Sequence, residues 1–405
     1  MEKIDLKNIC LEYLPRYESE GIDVSLDKLI KLALRASKKA VKTYIVLKEP
    51  RVCSENIYID NWVREELIRD FAIKTVKPIS LKKPPASFKA SADFYLLLPP
   101  ELHRHLITIF FNSKAENRKK TWNSLKLPTK EIEQKFIRMT EERIKFAQNK
   151  GYATYVDMFL DKNKIPRSDY ERFLKNIDKL VKYCNSNLPK TGVHPEWFYS
   201  EFNLPCFMCR LSSFPFKSFD EVLDYVVKTN KILGKFKQKV IIKFGEKSKM
   251  SYKKETDSFE ITISKTVNIR HQITDLVHEL SHVIDYLQDL SAGKDLLSKG
   301  KYVREKSALI IELSILKRLS QPWYQSNFSE ALQLFRRLLF EIELYSDPDQ
   351  DLSKLYAETF NRCFKLAKQK SNPAYILDER ISLLPLDALP HAIAHSEVIL
   401  EMMNK

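Results

Sequence analysis

Glycine and cysteine are scarce in this sequence. Only seven glycines and six cysteines occur among 405 residues, whereas 68 residues are Lys or Arg. Few glycines leave few positions for sharp turns, and abundant Leu, Lys, Glu and Ile favour helices over strands. Cysteines scattered through a long chain exclude the disulfide scaffold of a small secreted domain. The composition therefore predicts a mainly α-helical protein with reduced thiols.

Long hydrophobic runs are also missing. The most apolar windows, Phe94–Pro100 and Ile107–Phe111, are far shorter than the roughly 20 residues that a membrane-spanning helix needs. The first residues, Met1–Leu6, lack the basic segment and apolar core of a secretory signal. We therefore expect no membrane association and a cytoplasmic location.

The charge is unbalanced, with a formal net charge of +15 at pH 7. The basic residues are nonetheless spread along the chain, as in Lys82-Lys83 and Arg118–Lys120, and no recognisable nucleic-acid-binding motif collects them. Dispersed charge is typical of a solvated surface, although a positive cleft that attracts acidic peptides also fits it. The pattern argues against nucleic acid as a partner and leaves the oligomeric state open.

The hydrophobic pattern divides the chain into two regions. Residues 1–190 show helical periodicity and predict an N-terminal helical region. The second region, 191–405, contains three short runs separated by turn compositions: Lys239–Phe244, Met250–Lys254 and Phe259–Ser264. These runs predict a small antiparallel β-meander that leads directly into the next helix.

That next helix, predicted over Thr266–Leu290, contains an H-E-x-x-H motif at His278–His282. Apolar residues recur on one face at helical spacing, namely Ile273, Leu276, Val277, Leu280, Ile284 and Leu287. His278 and His282 then lie one turn apart, so two imidazole nitrogens can bind one tetrahedral Zn²⁺ ion at about 2.0–2.1 Å each. Glu279 lies beside the first ligand, where a general base can take a proton from zinc-bound water.

A catalytic zinc site needs a third protein ligand. The metzincin extension fails, because Asp285 and Gln288 stand where that pattern has Gly and His. The helical run Tyr302–Leu319 carries Glu305 in its first turn, and this carboxylate can complete the site. Glu312, about two turns further on the same face, can accept the second N–H of a ligating imidazole. The alternative is that both acids face solvent, but the pattern favours a glutamate-completed, gluzincin-type site.

These motifs resemble those of zinc oligopeptidases of the thimet oligopeptidase and oligoendopeptidase F family. The matching pieces are His278–His282 and Glu305–Glu312, and Phe340–Tyr345 and Leu355–Glu358 look like that family's C-terminal helices. A family segment of the form R-x-x-x-A-x-x-x-G-Y-x-x-Y is matched by Arg143, Ala147, Gly151, Tyr152 and Tyr155. The resemblance covers roughly residues 100–405. It implies a two-lobed helical zincin-like peptidase whose deep channel admits oligopeptides and excludes folded proteins.

The C-terminal part departs from the family pattern. Members usually carry tyrosines that donate hydrogen bonds to the oxyanion, in a segment resembling P-F-Y-x-x-x-Y-A. The comparable stretch here is Pro385–Ala392, with His391 at the position of the last tyrosine. An imidazole can donate to an oxyanion, and Tyr375 and His395 are alternative donors. The opposing interpretation is that these side chains only pack or face solvent.

The leading hypothesis is thus a cytoplasmic zinc-dependent metallo-endopeptidase that hydrolyses short oligopeptides, bound along the edge of the meander. A zinc carboxypeptidase or dipeptidase on a similar fold is the second hypothesis. The third is a non-catalytic peptide- or nucleic-acid-binding protein that retains the metal. The intact Glu279 argues against the third, because a structural zinc site needs no general base.

Overall fold

The structure is a computed structural model that describes residues 130–188, 216, 218–245, 248–253, 255–264, 269–293, 299–319, 321–365, 375, 381 and 385–404. The first 129 residues of the predicted N-terminal region therefore lie outside the described residues. The predicted boundary between residues 190 and 191 also lies outside the described residues. This boundary and the predicted deep channel both stay predictions.

The predicted mainly α-helical fold is confirmed. The described residues contain ten α-helices, one 3₁₀ turn at Lys237–Lys239 and three strands. The helices are α1 (Lys130–Asn149), α2 (Tyr155–Lys162), α3 (Arg167–Ser186), α4 (Phe219–Thr229), α5 (Lys231–Phe236), α6 (Ile269–Ser291), α7 (Lys301–Leu319), α8 (Gln321–Ser346), α9 (Leu352–Cys363) and α10 (Ala388–Met403). In this part of the chain, every helix is too short or too polar to cross a membrane.

The described chain divides into two compact units. The first contains residues up to Tyr155 together with Leu344–Gln350, and the second contains Val156–Glu343 and Asp351–Lys405. Within the first unit, the Arg143 guanidinium donates a hydrogen bond of 3.2 Å to the Tyr345 hydroxyl. The predicted metal ligands all belong to the second unit.

The three predicted strands form a small sheet, but the prediction of an antiparallel meander is wrong. The strands are β1 (Val240–Gly245), β2 (Lys249–Lys253) and β3 (Ser258–Ser264), and their order in the sheet is β1-β3-β2. β2 pairs antiparallel with β3, whereas β1 pairs with β3 in parallel. The central strand is the most buried of the three, since Phe259, Ile261 and Ile263 on alternate positions of β3 are all buried.

A close contact at the end of β1 explains one of the few glycines. A Cβ atom on Gly245 would lie 2.4 Å from the Thr262 methyl carbon on β3. Real Cβ atoms do not approach other carbons so closely, so a side chain at this position would require Thr262 or its strand to move.

The predicted H-E-x-x-H helix is α6, and it lies against the sheet. Its apolar face is buried: Ile273, Leu276, Val277, Leu280, Ile284 and Leu287 are each at most 2% exposed. The Tyr286 ring packs against Tyr252 of β2 and Phe259 of β3, with ring centroids 4.8 and 5.2 Å apart. Gly293, with φ of +65°, follows the helix in the left-handed conformation that commonly ends helices.

Candidate metal centre

Helix α6 brings the two histidines of the motif together. The Nε2 atoms of His278 and His282 lie 3.2 Å apart, on side chains separated by one helical turn. Both side chains are partly exposed, at 32% for His278 and 14% for His282. The buried apolar face of α6 fixes the rotation of the helix, so both ring nitrogens point to one patch of surface.

Glu305 reaches the same patch from the first turns of α7. Its Oε2 atom lies 3.6 Å from Nε2 of His278 and 3.7 Å from Nε2 of His282. Two ligands bound to tetrahedral zinc at about 2.0–2.2 Å are about 3.3–3.6 Å apart. The three ligand atoms, which all lie within 4.8 Å of one another, therefore fit such an ion closely.

The charge of Glu305 also suits a cation. Burial by itself would raise the pKa of this carboxyl group, but the adjacent imidazoles of His278, His282 and His391 outweigh burial. Together they hold the pKa of Glu305 far below its usual range. The donor set is thus two imidazole nitrogens and one carboxylate oxygen, a set that catalytic zinc sites use.

Glu312 holds the second ring nitrogen of His278. Its Oε2 atom lies 2.9 Å from Nδ1 of His278, and Glu312 is only 7% exposed. A carboxylate in this position accepts a hydrogen bond from Nδ1–H, which fixes the ring orientation and leaves Nε2 free to bind metal. Desolvation lowers the pKa of His278, but Glu305 and Glu312 outweigh it and raise that pKa well above its usual value. Binding of a zinc ion to this nitrogen would therefore require His278 to lose a proton, so zinc affinity should rise with pH.

Glu312→Gln is expected to weaken zinc binding by about 10- to 100-fold, because the amide orients the His278 ring less firmly than the carboxylate does. The measurement is a competition titration of zinc against a chromophoric chelator. Glu358→Gln is the matched control, since Glu358 is 61% exposed on α9. Equal zinc affinities for Glu312→Gln and the wild type would contradict the orienting role.

Glu279 follows His278 directly on α6 and is 7% exposed. Burial raises the pKa of its carboxyl group, and the neighbouring imidazoles of His278 and His282 oppose this effect without cancelling it. A carboxylate whose pKa is closer to neutrality is a stronger base than an exposed one. The structure thus places a partly desolvated carboxylate beside the ligand cluster.

Helix α10 brings two further histidines to this region. The Nδ1 atom of His391 lies 3.6 Å from Oε2 of Glu305, and about a third of the His391 side chain is exposed. His395, one turn later, is 7% exposed. Burial lowers the pKa of His395 to about 3, with smaller contributions from His391 and His278, so this imidazole is neutral at physiological pH.

The predicted donor Tyr375 lies in an aromatic cluster. Its side chain is fully buried, and its ring lies 5.6 Å from Phe340 and 6.2 Å from Tyr356, measured between centroids. A side chain without accessible surface touches no substrate in this conformation. The structure therefore brings His391, but not Tyr375, to an exposed position beside Glu305.

Two sets of polar contacts around the cluster were missed by sequence reasoning. Asp275, one turn before His278, accepts a hydrogen bond from the Ser248 hydroxyl at the start of β2. Glu397 on α10 is buried and pairs with Arg172 of α3 and, at 3.7 Å, with Lys306 of α7. A sequence signal existed for Glu397, because an acid in the mainly apolar stretch Ala392–Ile399 is costly to bury without a partner.

Comparisons with known proteins leave the family open. No protein-family model matches the sequence. No curated protein matches it either. Among solved structures, the chain is similar to a crystal structure described as a "putative oligoendopeptidase F" from Bacillus anthracis str. Ames. The two chains are 12% identical with a TM-score of 0.44, over 96% of this chain and 76% of that chain. A likeness this distant does not show membership of a family, so a function must be argued from the ligand cluster itself.

Proposed function

We propose that this protein is a zinc-dependent metallopeptidase that hydrolyses oligopeptides by attack of an activated water. The observation that carries the proposal is the meeting of His278, His282 and Glu305 at distances suited to zinc, with Glu279 beside them. A structural zinc site is usually closed by four protein ligands, whereas three ligands and an adjacent base are typical of hydrolytic sites.

His278, His282 and Glu305 would hold the zinc ion, which would supply Lewis-acid chemistry by lowering the pKa of a water molecule to about 7 and polarising the carbonyl group of a substrate. Glu279 accepts a proton from the attacking water and delivers it to the leaving amine. Glu312 keeps the His278 ring in the orientation that presents Nε2. His391 donates an N–H to the carbonyl oxygen as negative charge develops there, and we prefer it to Tyr375 because of its exposure beside Glu305.

The peptide is proposed to bind along β2 as an additional strand. Among the described residues, β2 is at the edge of the sheet, and β3 pairs with its other side. Contacts at both ends of β2, Ser248 with Asp275 and Tyr252 with Tyr286, hold it alongside the part of α6 that carries His278 and His282. Main-chain hydrogen bonds from such an edge bind an extended peptide with little regard to its sequence.

The proposal is tested with purified protein and a mixture of unlabelled peptides of 8–15 residues (roughly the span of an extended strand and its flanks). Hydrolysis should stop when a chelator removes the metal and return when zinc is added, and mass spectrometry should show cuts at internal bonds. Stepwise loss from one end would indicate a carboxypeptidase or dipeptidase instead. Hydrolysis that persists in the chelator, or salt-dependent nucleic-acid binding without hydrolysis, would refute the metallopeptidase proposal.

A further inference from the structure

The turn that precedes α10 has an unusual backbone. Leu386 has a φ of +56°, in the left-handed region that leucine rarely adopts. Its side chain is fully buried, so it cannot relax towards solvent. Such a conformation persists only where surrounding contacts hold it, and it often occurs beside functional groups.

A buried carboxylate on α8 makes that contact. Oε1 of Glu341 accepts a hydrogen bond of 2.6 Å from the backbone N–H of Leu386, and the Glu341 side chain has no accessible surface. The two residues are 45 positions apart in the sequence. A backbone N–H that donates to a carboxylate makes a stronger bond than one that donates to a neutral acceptor.

The same turn determines how α10 begins. The carbonyl oxygen of Leu386 accepts the N–H of Leu389 at 3.0 Å, which closes the first turn of the helix. Asp387 at the N-cap makes no capping hydrogen bond with its side chain. The start of α10 is instead held by Glu341 through Leu386, and a carboxylate near this end is also favoured by the helix dipole. His391 lies in that first turn, only five residues after Leu386.

We infer that Glu341 is a positioning residue for His391. It accepts the Leu386 N–H, keeps the turn in its left-handed form and thereby sets the direction in which the first turn of α10 presents the His391 ring to the cluster. Glu341 itself touches neither metal nor substrate. The inference rests on the proposed function, because the consequence of misplacing His391 is expressed as a loss of peptide hydrolysis.

The test compares Glu341→Met, which removes the acceptor, with Glu341→Gln, which retains an oxygen at nearly the same place. Glu341→Met should lower kcat about 10-fold or more, because a displacement of about 1 Å of a catalytic group is enough to do so. KM and zinc content should stay close to wild type, and Glu341→Gln should retain most of the rate. Glu343→Gln, an exposed position on the same helix, is the matched control.

Two further measurements separate positioning from a general structural effect. In a His391→Ala background, Glu341→Met should cause no additional loss of kcat. Amide hydrogen exchange at Leu386 and Leu389 should become faster in Glu341→Met, whereas exchange in α7 should not change. If Glu341→Met does not fold, Glu341→Asp is used instead. The aspartate side chain is shorter, so its carboxylate keeps the charge but lies too far from the Leu386 N–H to accept the same hydrogen bond.

Three results would overturn the inference. The first is a wild-type kcat for Glu341→Met, and the second is an equal loss of kcat in Glu341→Met and Glu341→Gln. The third is a double variant in which the loss of kcat from Glu341→Met adds in full to the loss from His391→Ala. Failure of the proposed function has a different outcome, namely no peptide hydrolysis by the wild type. In that case amide exchange at Leu386 and Leu389 still decides whether Glu341 holds the turn. Unchanged exchange in Glu341→Met would show that Glu341 does not hold it.

Discussion

Replacement of Glu279 by Gln is expected to lower kcat for peptide hydrolysis by about 100- to 10,000-fold, while one zinc ion remains bound. The amide has the shape of the carboxylate but cannot take a proton from water. Glu279 follows the proposed ligand His278 and is itself absent from the group of three candidate ligands, so its loss should leave the metal in place. KM should change little, because the lost interaction is needed in the transition state rather than for binding.

The measurement combines steady-state kinetics on a quenched peptide with zinc analysis of the same sample. Glu358→Gln again controls for the change from acid to amide on an exposed helix position. Turnover within a fewfold of wild type would reject Glu279 as the general base. Loss of zinc together with turnover would mean that Glu279 supports the metal instead.

Replacement of Glu305 by Gln is expected to weaken zinc binding by more than about 100-fold, which exceeds the loss from an indirect partner such as Glu312. The change removes an anionic ligand and leaves two imidazoles to hold the ion. The carboxylate is also surrounded by three histidines, with its Oε2 atom 3.6–3.7 Å from a ring nitrogen of each. Hydrolysis at low zinc should fall in proportion to occupancy.

Zinc titration followed by competition with a chelator measures this loss. Glu401→Gln is the matched control, because Glu401 is 48% exposed and pairs with Lys306, the residue next to Glu305. Wild-type zinc affinity in Glu305→Gln would exclude Glu305 as a ligand.

Much of the candidate site could be predicted because its spacing is local. The positions of His278, Glu279 and His282 relative to one another follow from one turn of helix, and the apolar period identified the buried face of that helix. Glu305 and Glu312 share a face of α7 for the same reason, and the structure brings both to His278. Their roles as ligand and orienting residue stay predictions until zinc binding is measured.

The order of the strands in the sheet could not be predicted from the local sequence. The three runs were found close to their observed positions, but neighbours in the sequence were assumed to pair in turn. The sheet instead places β3 between β1 and β2, because its alternating apolar residues need burial on the face towards α6. Turn composition indicates where a strand ends and does not determine which strand lies beside it.

The sequence by itself determined the helical character of the described residues, the two histidines on one face of α6 and the carboxylate of Glu279 between them, since these depend on residues within a few positions of each other. The tertiary structure alone decided that His391 lies beside Glu305 and that Tyr375 is buried. It also decided that Glu341 reaches the turn at Leu386 and that Glu397 pairs with Arg172, 225 residues away. Such contacts depend on how whole helices pack, and no local period in the sequence encodes that packing.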